Sequence, residues 1–163
     1  MELLIPGLIL VAVMVYVSTK IKKSAADAFT AEHIDTPEYT LDKPDGFLHV
    51  LGDEKHEFMA YSKEFGTDEN ASIRRATIEL DVLRGIDVTS VRKEICDAAS
   101  NSDVRESDVV QADEQANETE FRAVYKLAAR DGSVYRFRFA VLADYVDEFS
   151  SRIDDTINSF VIK

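Results

Sequence analysis

The amino-acid sequence predicts an α+β protein, in which one N-terminal transmembrane helix precedes an antiparallel sheet flanked by helices. Three observations lead to this prediction. Residues 3–17 are apolar, several later segments alternate between apolar and polar residues, and two others repeat apolar residues every three or four positions. Alternation is typical of strands, and the longer spacing is typical of helices. Because the strands cluster and do not alternate regularly with helices, a βαβ repeat is not expected.

Residues 1–29 are predicted to be a membrane anchor helix with a basic flank. The fifteen residues from 3 to 17 carry no charge. As a helix with a rise of ~1.5 Å per residue, they span roughly 22 Å of a ~30 Å hydrocarbon core. Lysine side chains just beyond this stretch can reach the headgroups and so lengthen the span. The predicted anchor residues are Leu3, Leu4, Ile5, Leu8, Ile9, Leu10, Val11, Val13, Met14, Val15, Tyr16 and Val17, and the basic flank is Lys20, Lys22 and Lys23.

The order of charges distinguishes this segment from a cleaved signal peptide. A signal peptide has positive residues before its apolar core and small residues at a cleavage site, whereas the three lysines here follow the core. The same lysines predict the topology, because lysine and arginine beside a span favour the cytoplasmic side. We therefore expect a single-pass membrane protein with its domain in the cytoplasm. A periplasmic or lumenal domain is the alternative.

The rest of the chain is strongly acidic. The net charge of the whole chain is −12, and residues 1–23 contain three lysines and one glutamate. Residues 24–163 therefore carry 16 basic and 30 acidic residues, a net charge of −14. Such a surface repels nucleic acid, because contacts with phosphate require positive charge. Nucleic-acid binding is excluded, and a basic protein surface is the favoured partner.

Residues 38–163 form the predicted domain, which a linker at 30–37 joins to the anchor. Tyr39 and Leu41 lie two apart in a short strand. Pro44 and Gly46 predict a turn after it, because proline fixes φ and glycine tolerates positive φ. Further extended segments are expected at 47–51 and 57–63, followed by a polar loop at 66–70.

A longer strand and a helix follow. Residues 74–83 alternate clearly, and Gly85 ends the strand. Asp87 or Thr89 can cap the next helix, which is expected to run to about Ser100. The strand residues predicted to share one face are Ala76, Ile78, Leu80 and Val82, and those on the apolar side of the helix are Val88, Val91, Ile95 and Ala98.

The second half of the domain contains the clearest hairpin. Strands at 119–129 and 133–142 are joined by an Arg-Asp-Gly-Ser turn. Arg136 and Arg138 lie on one face of the second strand, opposite Tyr135, Phe137, Phe139 and Val141. Before the hairpin, the sequence predicts a polar loop at 101–107, a short strand at 109–110 and a polar turn at 112–117. After it come a helix at 145–159 and a short extended end at 160–162.

Two short motifs stand at the ends of the predicted domain. Residues 39–47 read Tyr-Thr-Leu-Asp-Lys-Pro-Asp-Gly-Phe, and residues 155–160 read Asp-Thr-Ile-Asn-Ser-Phe. In these motifs the chain resembles PsbP/Mog1/DcrB-type domains, which open with an aromatic strand before a Pro-x-Gly-aromatic turn and close with a helix ending in Ser-Phe. The resemblance implies an antiparallel sheet sandwiched by helices. It also implies a non-catalytic adaptor role, as in photosystem accessory proteins, a nuclear-transport factor and bacterial envelope lipoproteins.

The chain offers little recognisable chemistry. His49, His56 and Glu54 could form a metal site if their strands pair, but ordinary strand and loop roles are the favoured interpretation. Cys96 is the only cysteine, so no intrachain disulfide forms, and its place beside Ile95 favours a structural role. No nucleophile elbow and no phosphate-binding glycine loop occurs in the sequence. We therefore expect no enzymatic activity, no cofactor and no metal.

These features lead us to expect a non-enzymatic, single-pass accessory or assembly subunit of a larger membrane protein complex. The anchor would lie in the lipid bilayer beside integral membrane subunits, with Gly7 and Ala12 permitting close helix packing. The domain would contact the partner at the membrane surface, with Arg136 and Arg138 as candidate contacts, unless these arginines pair with acidic residues across the sheet. The alternative is a membrane-tethered module that binds a small ligand or peptide. Its predicted pocket is lined by Phe47, Phe58, Tyr61, Tyr125, Phe137 and Phe139.

Overall fold

The computed structural model describes residues 14–18, 20, 26–105 and 108–163. Residues 14–18 and 20 are helical, and the apolar side chains from Met14 to Val17 are exposed. Within the described ranges, no helix is both long enough and apolar enough to cross a membrane. The anchor therefore stays a prediction. The other residues predicted for the anchor, its flank and its helix contacts lie outside the described residues: Leu3, Leu4, Ile5, Gly7, Leu8, Ile9, Leu10, Val11, Ala12, Val13, Lys22 and Lys23.

Strands make up most of the described domain. They are β1 (Glu32–Asp35), β2 (Tyr39–Lys43), β3 (Phe47–His49), β4 (Phe58–Ser62), β5 (Ala76–Arg84), β6 (Asn101–Val104), β7 (Val109–Ala116), β8 (Thr119–Arg130), β9 (Ser133–Leu142) and β10 (Val161–Ile162). The helices are α1 (Val88–Ala98) and α2 (Val146–Ser159), with 3₁₀ turns at Asp68–Asn70 and Ala143–Tyr145.

All pairings between the described strands are antiparallel, which confirms the predicted α+β class with antiparallel sheets. One sheet has the order β3-β4-β5-β9-β8-β7-β6, and a smaller sheet has the order β1-β2-β10. Helix α1 packs against β7 and β8 on one face of the larger sheet, and α2 packs against β8, β9 and β2 on the other. The larger sheet therefore lies between α1 on one side and α2 with the smaller sheet on the other.

The larger hydrophobic core lies between the seven-stranded sheet, α2 and β2. Strand side chains alternate between the two faces of a sheet. The predicted inward residues of β5 and β9 are accordingly buried here: Ala76, Ile78, Leu80, Tyr135, Phe137, Phe139 and Val141. Helix α2 adds Phe149, Ile153 and Ile157, whose spacing of four places them on one side. Phe137 stacks on Phe160 with 5.0 Å between ring centroids, so the C-terminal end of the chain closes this core.

The β8–β9 hairpin forms as predicted. Its two central turn residues, Asp131 and Gly132, have φ values of 50° and 74°. Positive φ at both positions is what a two-residue type I′ turn requires, and Asp-Gly is a preferred sequence for it. This turn sets the register that places Arg138 opposite Tyr125 and Arg136 opposite Leu127.

A smaller core lies under α1. Val91 and Ile95 are buried there against residues of β7 and β8 that include Ala112 and Leu127. The predicted apolar side of the helix is therefore confirmed at its two central positions. It is wrong at Ala98, the last residue of the helix, which is exposed, while the following Ala99 packs against this core.

The structure selects Asp87 as the N-cap of α1. The Asp87 carboxylate accepts a hydrogen bond of 3.0 Å from the Ser90 backbone N–H and one of 2.6 Å from the Ser90 hydroxyl. These bonds lower the pKa of Asp87 from its ordinary value. An N-cap side chain satisfies a backbone donor that has no partner within the helix. The second cap candidate, Thr89, lies inside the first turn.

We expect Asp87→Ala to loosen the first turn of α1, because the Ser90 amide then loses its acceptor. Hydrogen–deuterium exchange should show several-fold faster exchange of that amide, while the amides of β8 and β9 keep their rates. Thr89→Ala is the matched control and should leave the Ser90 rate within about twofold of wild type. Equal effects of the two substitutions would contradict the assignment of the cap.

Two sequence predictions between α1 and the hairpin are wrong. Residues 101–107, predicted as a loop, include strand β6, and residues 112–117, predicted as a turn, mostly belong to strand β7. Strand β6 lies at the edge of the sheet and all its side chains are exposed, so it has no apolar alternation. In β7, Asp113 pairs with Arg122 of the neighbouring strand β8, and Glu114 pairs with Arg138 of β9, the next strand beyond it. Polar residues paired across strands hide the signal that periodicity detects.

Residues 30–37, which the sequence predicts to be a linker, contain strand β1. This strand pairs with β2 along its whole length, from Glu32 opposite Lys43 to Asp35 opposite Thr40. The Lys163 ammonium also donates to the carboxylate of Asp35 and to the backbone oxygen of Thr36, at 2.7 Å for the latter. Backbone pairing therefore begins before the predicted start of the domain.

Candidate functional site

Arg138 lies in a polar cluster on the face of the large sheet that α1 partly covers. Its guanidinium donates to the Glu79 carboxylate at 2.8 Å and to the Glu114 carboxylate at 2.6 Å. The Tyr125 hydroxyl also donates to Glu114. Burial opposes the charge of Arg138, but the hydrogen bond that it donates to Glu114 and the charges of both glutamates outweigh burial and raise the pKa of Arg138. The arginine therefore joins β5, β9 and β7 through one guanidinium.

Arg136 makes a second ion pair on the same face. It donates to Asp81 at 2.8 Å, and the other oxygen of that carboxylate lies 2.7 Å from His56 Nδ1. Both arginines that the sequence nominated as partner contacts are therefore engaged within the domain. Their side chains keep only 28% and 20% exposure. In the structure both arginines join strands through ion pairs, and only a minor part of each side chain remains exposed.

The histidines considered as metal ligands lie beside different acidic residues. His49 Nδ1 is 3.6 Å from Glu32, and its ring lies 4.7 Å from the Phe58 ring. His56 pairs with Asp81 instead. Across the part of the chain that the structure describes, no three His, Cys, Asp or Glu side chains are grouped closely enough to hold a metal ion.

The predicted aromatic pocket does not form, because its six residues lie on both faces of the large sheet. Phe47, Phe58, Phe137 and Phe139 are fully buried in the larger core. Phe47 packs edge-on against Phe139 with 5.5 Å between ring centroids. Tyr125 belongs to the smaller core, and Tyr61 lies on the same outer face, because it alternates with the inward Ala60 and Ser62. The prediction of one shared cavity is therefore wrong, and the four phenylalanines are packing residues.

Two clefts meet at one end of the large sheet. The first, of about 360 Å³, and the second, of about 350 Å³, share Glu120, Ala143 and Asp144. The other acidic residues lining them are Glu69, Asp113, Glu114, Glu118 and Asp147. Arg122 is the basic residue in these linings, and it donates to Asp113 at 2.8 Å, which lowers the pKa of that carboxyl. We call this part of the domain the acidic end.

The N-terminal part of the described domain is fastened at the same end of the sheet. Strand pairing places the start of β3 at the end of the sheet where β8 begins and β9 finishes. There the Gly46 N–H donates to the Phe29 oxygen at 2.7 Å. The Lys43 ammonium donates to the backbone oxygens of Thr30 and Phe47, at 2.7 Å for the latter. The chain therefore enters the domain at the same end of the large sheet as the acidic end, with β4, β5 and β9 between β3 and β8.

Lys43 is a buried residue that the sequence prediction missed. Its exposed fraction is 1%, and burial lowers the pKa of its ammonium, although the charges of Glu32 and Asp45 oppose this. The signal was present in the alternation of β2. Tyr39 and Leu41 are predicted on one face, and position 43 continues that face with a period of two. A lysine there must be buried with partners, because a buried cation without hydrogen bonds is strongly unfavourable.

Known structures share this fold at low sequence identity. LpqN of Mycobacterium tuberculosis, described as involved in cell envelope biogenesis, aligns with 82% of this chain and 90% of its own, at 11% identity and a TM-score of 0.54. The Saccharomyces cerevisiae Ran-binding protein Mog1p aligns with 82% of this chain and 96% of its own, at 11% identity and a TM-score of 0.52. The solution structure of cyanobacterial PsbP from Synechocystis aligns with 83% of this chain and 94% of its own, at 9% identity and a TM-score of 0.47.

Comparison at the level of sequence gives no relative. No protein-family model matches the chain, and no curated protein matches it. The likeness to LpqN and Mog1p, at this identity, concerns the fold alone. The chain has an α+β fold with antiparallel sheets that resembles the folds of LpqN and Mog1p, and the two terminal motifs implied a Mog1-like fold.

Proposed function

We propose that the protein is a non-enzymatic, single-pass accessory or assembly subunit of a membrane protein complex. The observation that carries the proposal is the exposed apolar helix segment from Met14 to Val17, which precedes a domain with a polar, acidic surface. Consecutive exposed apolar side chains mark a surface made for lipid or for another protein. The fold supports a binding role, because the Mog1p structure that shares it is described as a Ran-binding protein.

The placement of charge supports a partner at the membrane surface. The acidic end lies at the same end of the large sheet as the place where the chain enters the domain, so a membrane anchor would turn this end toward the bilayer. Integral membrane proteins carry an excess of lysine and arginine in their short cytoplasmic loops. An acidic surface facing the cytoplasmic side of the membrane is electrostatically complementary to such loops. The proposed partner is therefore an integral membrane subunit with basic cytoplasmic loops.

Affinity purification of the tagged full-length chain in mild detergent tests the proposal. We expect the chain to be recovered with one or more integral membrane proteins in a fixed ratio. The variant Glu118→Lys/Glu120→Lys/Asp144→Lys reverses charge in the clefts and should reduce recovery by at least about tenfold, because like charges then face the basic loops. The control Glu94→Lys/Asp97→Lys reverses charge on exposed positions of α1 and should retain the partner. Recovery of a lone monomer overturns the proposal.

The membrane anchor has its own test. A charged residue near the centre of a transmembrane helix opposes insertion by about 3 kcal/mol. We therefore expect Leu10→Asp to move most of the chain from the membrane fraction to the soluble fraction. Leu10→Val keeps the segment apolar and should stay in the membrane. A wild-type chain that alkaline carbonate releases from membranes contradicts the anchor.

A further inference from the structure

The first residues of the described domain are attached to it at several points. We call residues 26–35 the strap. The Phe29 backbone oxygen accepts from Gly46 at 2.7 Å, and the ammonium of Lys63 lies 6.0 Å from the Phe29 ring centroid. Further along, β1 pairs with β2, and Asp35 accepts from Lys163. Because these contacts join the strap to β2, to the β2–β3 turn and to the C-terminal residue, it is part of the folded domain.

Lys43 is the most buried of these contacts. Its ammonium donates to the Thr30 oxygen of the strap and also to the Phe47 oxygen at the start of β3. Backbone oxygens inside a protein require donors, and a buried ammonium requires acceptors. Each group therefore satisfies the other, and detaching the strap would leave the lysine short of an acceptor. This mutual dependence makes Lys43 a latch between the strap and the core.

We propose that the strap is a fixed spacer, latched by Lys43, which holds the acidic end of the domain at a short distance from the membrane anchor. The membrane part of this inference rests on the proposed function; the fixed strap does not. Six peptide units separate Lys20 from Ala26, so they can extend over at most about 22 Å. A free linker at residues 30–37 would have added up to about 28 Å of reach. Fastening the strap removes that freedom and restricts which partner surfaces the acidic end can meet.

Hydrogen–deuterium exchange of the full-length chain in detergent tests the latch. We expect Lys43→Met to accelerate exchange of the Gly46 amide and of the β1 amides by at least about tenfold, because the strap can then open without unfolding the domain. The amides of β8 and β9 should keep their rates. Unchanged exchange at Gly46 and β1 in the folded variant overturns the proposal.

Lys126→Met is the matched control. Lys126 also donates to two backbone oxygens, those of Ile157 at 3.0 Å and Phe160 at 2.9 Å, but it lies under the end of α2. We expect this substitution to accelerate exchange near the end of α2 and to leave the strap rates unchanged. Equal acceleration of the strap in both variants would mean that losing any lysine that donates to two backbone oxygens loosens the domain, which also overturns the proposal.

A measurement without any change at Lys43 covers the case in which Lys43→Met does not fold. In a Cys96→Ser background, spin labels at Ala28→Cys and Ser151→Cys report the distance between the strap and α2, since both positions are exposed. A fixed strap gives a single narrow distance distribution, and a broad distribution overturns it. Both measurements remain valid if the chain does not insert into membranes, so failure of the strap and failure of the proposed function are distinguishable.

Discussion

Replacing Phe139 with alanine should lower the free energy of unfolding by about 3–5 kcal/mol, the usual loss when a fully buried phenylalanine is truncated in a packed core. Phe139 has 0% exposure and lies in β9, opposite Ile78 of β5 and Val124 of β8. Its ring also packs against Phe47. The surrounding strands are held by their backbone pairing, so they cannot move in to fill the space. Urea unfolding of the full-length chain in mild detergent, followed by circular dichroism, measures the loss.

Phe65→Ala is the matched control for Phe139→Ala. The Phe65 ring is 43% exposed and contacts the Arg74 guanidinium, whose carbon lies 3.7 Å from the ring centroid. Removing a half-exposed ring and one cation–π contact should lower the free energy of unfolding by no more than about 1 kcal/mol. If the two variants lose equal stability, the phenylalanines of the larger core are not the packing residues that we describe.

Replacing Arg138 with methionine should lower the free energy of unfolding by about 2–4 kcal/mol at pH 7. Removing one partner of a buried ion pair costs about 3–5 kcal/mol, and we expect somewhat less because the side chain keeps 20% exposure. The loss arises from Glu79 and Glu114, which then face each other without their shared cation. Methionine preserves much of the volume, so a packing defect contributes little.

Urea unfolding of the full-length chain in mild detergent at pH 7 measures the loss for Arg138→Met. Arg122→Met is the control, because Arg122 pairs with Asp113 and is 41% exposed. It should lower the free energy of unfolding by no more than about 1 kcal/mol. Equal losses for the two variants would contradict the charge argument.

The sequence predicted best those elements that bury one face against an apolar core. Strands β5, β8 and β9 and helices α1 and α2 all show a clear period of two or of three to four, and all were predicted with nearly correct bounds. The polar strand β6 was missed, and β7 was predicted only at its first two residues, 109–110. Both strands are stabilised by backbone pairing, and β7 also by ion pairs to Arg122 and Arg138, which no local pattern reveals.

The candidate site was predictable only in part. The terminal motifs implied a fold like that of PsbP and Mog1, and the solved structures of LpqN and Mog1p show the same fold. The nominated arginines lie on one face of β9, as alternation requires, but the sequence did not indicate that acidic residues of β5 and β7 engage them. The prediction of an aromatic pocket was wrong for a related reason. Composition gives the number of aromatic residues but does not show which face of the sheet each one occupies.

Composition and local pattern were enough to predict the α+β class, the acidic character of the domain and the Asp-Gly hairpin, and to locate the apolar segment at residues 3–17. Each of these depends on composition or on neighbours within a few positions along the chain. Three features became visible with the folded chain: Lys43 is buried, the strap belongs to the domain, and the chain enters at the same end of the large sheet as the acidic end. Those features depend on strand register and on contacts between residues far apart in sequence, and burial free energies act on such contacts only once the chain has folded.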